Sequence, residues 1–156
     1  MILPGHIAAP VLASRRFRLD RWVAVLAGLA PDLVDKFVFY ILHASHWTRI
    51  PAHSVTAFAV SSLAVALAGR LRRQSWRWGL AWVAGYALHF LCDIVPGEGE
   101  LPWLWPFDPY FSHISSSRPW FLGGGPVPWV TLIAEIALVA AAVAVELAHR
   151  PRRASP

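Results

Sequence analysis

Apolar residues run in four long blocks separated by short charged or polar segments: Trp22 to about Ala44, Val55 to Gly69, Trp78 to Val95, and Val127 to Ala148. Continuous apolarity, rather than a one-sided stripe, predicts helices that cross a bilayer, for which about 20 residues are needed. Met1 to Ala13 is also apolar but carries Pro4, Gly5, His6 and Pro10, and its length predicts a half-helix or re-entrant segment. The first long block is interrupted by Pro31-Asp32-Leu33-Val34-Asp35-Lys36, where Pro31 should kink or restart the helix and leave backbone groups in need of partners. Pro96 to Pro126, rich in Pro, Gly and Trp, fits no regular element. The expected fold is all-α: a polytopic membrane helix bundle of about four transmembrane helices plus a short N-terminal half-helix. Residues 1–150 would form one domain and 151–156 a basic cytoplasmic tail.

Composition strengthens the membrane reading. The 156 residues are 56% hydrophobic, with nine tryptophans. A net charge of +5 might suggest nucleic acid, but eleven of the fourteen basic residues fall in three runs between apolar blocks, starting near Arg15, Arg70 and Arg150. That pattern is better explained by membrane topology, so no nucleic-acid partner is expected. If the blocks alternate across the bilayer, all three runs lie on the cytoplasmic side of the bacterial inner membrane, and so does the C-terminus. Aromatic residues such as Trp103, Trp105 and Phe107 suit the membrane interface. A single cysteine, Cys92, rules out an internal disulfide framework and a CxxC zinc site. With no basic residues ahead of the first apolar stretch, a cleaved signal peptide is not expected.

Polar residues inside the apolar blocks carry the chemistry. His89 and Asp93 stand one turn apart on one helical face, in a segment where an unpartnered carboxylate would be unfavourable. A metal, a proton relay or a buried ion pair would each explain them. Counting the helical rise from the flanking arginines puts His6 at about 13 Å, Asp32 at about 16 Å, His89 at about 18 Å, Asp35 at about 21 Å, Asp93 at about 24 Å and His53 at about 25 Å. Residues from four segments thus share one layer, in the half of the membrane away from the arginines. Imidazoles and carboxylates together suit a divalent metal, Zn²⁺ first, with Mn²⁺ or Fe²⁺ possible. His53, His89, Asp93 and Asp32 make a four-ligand set, and His6 with a shared Asp93 could begin a second metal position. Simpler roles compete: Lys36 could pair with an aspartate, more readily Asp35 than Asp32; Ser54 could cap a helix; Glu146 could pair with Arg150; and Glu135 could face the bundle or another protomer.

The motifs also resemble a known family. Gly5-His6, Pro31-Asp32-Leu33-Val34-Asp35, His53-Ser54, Gly85-Tyr86-x-x-His89-x-x-x-Asp93 and Leu104-Trp105-Pro106-Phe107 occur in the order and rough spacing of the YdjM-like membrane-bound metal-dependent hydrolases. Those in turn resemble the zinc-dependent phospholipase C and S1/P1 nuclease group. The resemblance covers residues 5 to 107. It implies a metal-dependent hydrolase that cleaves a phosphoester of a lipid or lipid-linked substrate, with Asp32, His53, His89 and Asp93 on one metal and His6 and Asp93 on another. Arg49 would then meet the developing negative charge, and Asp35 or Asp32 would serve as base. The chain departs from the family's His-Arg-x-x-Thr-His-Ser, reading Thr48-Arg49-Ile50-Pro51-Ala52-His53-Ser54. His46 could replace the missing histidine, while Glu98, Glu100 and His113 are the only nearby residues to serve a third metal, so one or two ions are expected. Two other readings remain: a non-enzymatic membrane protein that carries metal ions or protons, and a degenerate relative that acts through a protein partner.

Overall fold

The computed structural model describes residues 3–44, 49–72, 76–94, 102–107 and 129–149. Five helices follow one another: α1 (Leu3–Phe17), α2 (Arg21–Tyr40), α3 (Val55–Leu71), α4 (Arg77–Ile94) and α5 (Trp129–Ala148). The all-α expectation holds. The basic tail, the loop residues Glu98, Glu100 and His113, and His46 lie outside the described residues.

The expectation of about four transmembrane helices does not hold. Among the described residues only α5, with 20 residues and a mean hydropathy of 2.2, is long and apolar enough to cross a membrane. α3 is apolar but has only 17 residues. α2 reaches 20 residues but includes Arg21, Asp32, Asp35 and Lys36, and α4 includes Arg77, His89 and Asp93. The alternating topology drawn from four spans falls with it. The N-terminal segment forms α1, a helix of 15 residues that continues past Ala13 through Arg15 and Arg16.

Local signals set the helix ends. Asp20 caps α2 by accepting from Val23 N at 3.0 Å, and Ser54 caps α3 by accepting from Ala57 N at 3.1 Å. α1 ends where Arg18 takes a left-handed backbone, φ 55°, and Leu19 N donates to Ser14 O.

The centre is built from α1, α2 and α4, with α3 against α4. Small residues let these helices approach closely. A Cβ on Gly28 would come within 2.7 Å of the His6 carbonyl and of Pro10, and one on Gly85 would collide with the Ala24 carbonyl. Beside that contact Ala27, Tyr86 and Phe90 form an apolar core, with Phe58, Trp82 and Trp103 packed around it. Trp103, expected at the interface, instead packs edge-on against Phe90 at 5.0 Å.

α5 is attached differently. Among the described residues it packs on α1 and reaches α2 through the Arg21–Glu146 pair. The two helices run parallel, joined at Gly5 with Glu135 and, eleven residues further along α5, at Arg15 with Glu146.

Candidate metal centre

Four of the residues picked from sequence meet in one buried cluster. His6 comes from α1, His53 from the turn before α3, and His89 and Asp93 from α4; each is at most 3% exposed. Asp32 joins from α2 at the cluster's edge and Asp35 from behind His53. His6, His89 and Asp93 form one group whose ligand atoms all lie within 4.8 Å of one another, and Asp32, His53 and His89 form a second.

The backbone explains how His53 is held. Asp35 is fully buried and accepts from Ala52 N at 2.6 Å and His53 N at 3.3 Å, and lies 2.6 Å from His53 Nδ1. From the other side Tyr86 Oη donates to the Ala52 carbonyl at 2.5 Å, while Val55 N donates to the Trp103 carbonyl. The short segment carrying His53 is therefore fixed by α2, α4 and the 102–107 turn together.

His89 is fixed by a backbone carbonyl of α2: that of Gly28 stands 2.8 Å from His89 Nδ1. Pro31 has no N–H to offer the Ala27 carbonyl one turn earlier. α2 nevertheless continues past Pro31 without a break, so Pro31 does not restart the helix.

These contacts assign the tautomers. A carboxylate and a carbonyl only accept, so the Nδ1 of both His53 and His89 carries the proton, and both Nε2 atoms present lone pairs. Those two Nε2 atoms face each other at 2.9 Å. Asp93 Oδ2, also an acceptor, lies 3.4 Å from one and 3.7 Å from the other. With both imidazoles neutral, three lone pairs thus converge, an arrangement that burial makes costly unless a cation or a proton lies between them. A tetrahedral ion with bonds of about 2.0 Å has ligands about 3.3 Å apart, and the three observed separations bracket that value. The donor set fits zinc.

Asp93 is the residue suited to serve two positions. Its Oδ2 faces His53 and His89, and its Oδ1 lies 3.2 Å from His6 Nε2. His89 belongs to both groups by distance, but with Nδ1 committed to Gly28 it has a single lone pair to give. His6 Nδ1 is buried with no hydrogen-bond partner.

Burial pulls the His53 imidazole toward neutrality. Hydrogen bonds to the carboxylates of Asp35 and Asp93 more than reverse that, so its pKa stands above the ordinary value. In the absence of a metal, a proton on His53 Nε2 would occupy the gap between the acceptors.

The remaining choices separate. Lys36 pairs with Asp32, at 3.0 Å and one turn away, and not with Asp35. The Arg49 guanidinium acts electrostatically on Asp93, which puts its charge beside the cluster. Glu146 pairs with Arg15 and Arg21. Glu135 faces the bundle and accepts a hydrogen bond from Gly5 N, where a Cβ would sit 3.0 Å from its carboxylate oxygens. Sequence reasoning did not connect it to Gly5. The available signal was a lone carboxylate near the middle of the most apolar block.

The architecture defines an all-α protein with, among the described residues, one helix long and apolar enough to cross a membrane and a buried His/Asp cluster that could hold a cation. Residues 2–152 match the YdjM inner membrane protein family, and the chain belongs to it. It is thus an inner-membrane protein. No curated protein and no solved structure matches the chain.

Proposed function

We propose that the protein is a membrane-bound metal-dependent hydrolase acting on a phosphoester of a lipid or lipid-linked substrate. The observation that carries this is the buried convergence of His53 Nε2, His89 Nε2 and Asp93 Oδ2, at separations of 2.9, 3.4 and 3.7 Å. Zn²⁺ is the first choice of ion, with Mn²⁺ or Fe²⁺ as alternatives, and Asp93 allows one or two ions. A bound divalent ion supplies Lewis acidity and an activated water.

The chain's own residues then have distinct tasks. His53, His89, Asp93 and Asp32 hold the first position, and His6 with Asp93 the second. Asp35 has its oxygens engaged by Ala52 and His53, so its task is positioning His53, in place of the base expected from sequence. Arg49 supplies positive charge to hold a phosphoester. The arginines near the C-terminal end of α1 mark the cytoplasmic end of α5, and the cluster lies toward the opposite side.

The test is release of phosphate or diacylglycerol from a panel of phospholipids by metal-loaded protein. Activity that is lost in both His89→Ala and Asp93→Ala supports the proposal. Metal-loaded protein that releases neither product from any member of the panel, or variants as active as wild type, would contradict it.

A further inference from the structure

A second feature lies away from the cluster, on the outer face of α1 and α5. The two helices are joined near Gly5 and at Arg15, and between them an apolar groove of about 440 Å³ opens to the outside. Its floor is Ala8 and Ala142, both buried, and its walls include Ile7 and Val143, both exposed. Along α1 it runs from Leu3 to Val11, eight residues or about 12 Å. That is close to the depth of one leaflet, half of the about 30 Å hydrocarbon core. One wall is α5, the helix apolar enough to cross the membrane.

The groove ends at Glu146 and Leu147, against a basic foot. Arg15 gives two N–H donors to Glu146 and Arg21 gives one, out of five on each guanidinium. With Arg16 and Arg18 beside them, four arginines stand against Glu146 and Asp20, so the foot carries net positive charge. Arg16 lies over the Phe17 ring and Arg21 over the Trp22 ring, and both aromatic residues are largely exposed. Exposed aromatics beside arginines mark headgroup depth.

We infer that the α1–α5 groove binds an anionic membrane phospholipid, one acyl chain lying over Ala8 and Ala142 and the phosphate held at Arg16 and Arg21. Charge complementarity selects the occupant: a chain alone would fill the groove, but the foot favours a net negative headgroup. This site is separate from the metal cluster and does not depend on the hydrolase proposal.

Native mass spectrometry of the full chain, released from detergent after incubation with phosphatidylglycerol or phosphatidylcholine of identical chains, tests it on metal-free protein. One phosphatidylglycerol should be retained in preference to phosphatidylcholine. Arg16→Gln and Arg21→Gln should each weaken phosphatidylglycerol about fivefold, from ~1 kcal/mol per arginine, while leaving phosphatidylcholine unchanged. Arg15 keeps both of its bonds to Glu146 in these variants. Ala142→Phe should abolish retention by filling the floor, and Val143→Trp should reduce it by covering the groove from outside without disturbing the helix contact. Equal retention of the two lipids, retention of neither, or phosphatidylglycerol binding unaffected by both Val143→Trp and Arg21→Gln would overturn the inference.

Discussion

The two ends of α1 carry charged clusters of opposite kind. At the C-terminal end Arg15, Arg21 and Glu146 are part-exposed, and both carboxylate oxygens meet N–H donors between 2.8 and 3.2 Å. At the N-terminal end His6 joins Asp93, His53 and His89 in near-complete burial, and acceptors face acceptors. In the first cluster the carboxylate is fully answered, and water shares the surplus positive charge. In the second cluster His53 Nε2, His89 Nε2 and Asp93 Oδ2 face one another at 2.9 to 3.7 Å, out of reach of water. Buried lone pairs that face one another call for a cation, whereas an exposed carboxylate already met by two arginines does not.

The comparison can be broken from either side. The largest effect should come from removing the cation. Chelation should destabilise metal-loaded protein by about 2.7 kcal/mol where free metal had been held at a hundredfold excess over Kd, read as a lower unfolding midpoint. A midpoint indifferent to chelator and to added metal would mean that the facing acceptors are satisfied by the protein alone. Next comes Asp35→Asn, which removes the carboxylate that orients His53 and should weaken metal binding by about 10- to 100-fold with little change in helix content. Titration calorimetry against circular dichroism separates the two effects.

Acidity should act in one direction. Protonated His53 has no lone pair for a metal, and its raised pKa brings that competition to higher pH than for an ordinary histidine. As pH falls through and below that pKa, affinity should decline by up to about tenfold per unit, with proton release on binding. Affinity constant across that range would remove His53 from the ligand set. Glu135→Ala should have a smaller effect, destabilising by about 1–3 kcal/mol through the lost acceptor for Gly5 N, as measured by denaturant unfolding. The smallest effect belongs to the part-exposed cluster: Glu146→Gln should leave both metal content and unfolding midpoint nearly unchanged.

The site was more legible than the membrane frame used to find it. Counting helical rise from the arginines placed His6, Asp32, His53, His89 and Asp93 at neighbouring levels, and those residues do meet. The count depends on regular helices and on arginines grouped toward one end, so it survives the loss of four spans. The number of spans was misread because apolar blocks were judged by their general character. Asp32, Asp35, His89 and Asp93, the residues that build the cluster, are the same ones that lower the apolarity of α2 and α4. Lys36 was expected to pair more readily with Asp35 than with Asp32, and the structure reverses this: three residues apart, the two carboxylates share a helical face. Only the path of residues 50–54 decides that Asp35 receives Ala52 and His53 while Asp32 turns to Lys36. Gly28 was equally silent, since a backbone carbonyl that fixes a histidine tautomer leaves no residue-type signal.

The central claim is that the His/Asp cluster is built around a divalent metal. Metal analysis of protein purified in metal-replete buffer, beside His89→Ala and Asp93→Ala proteins of matched helix content, tests it most directly. The account predicts one or two equivalents in wild type, a loss of metal in His89→Ala and a near-complete loss in Asp93→Ala, because Asp93 serves both positions. Wild-type protein without stoichiometric metal, or an Asp93→Ala protein that retains the full complement, would contradict it.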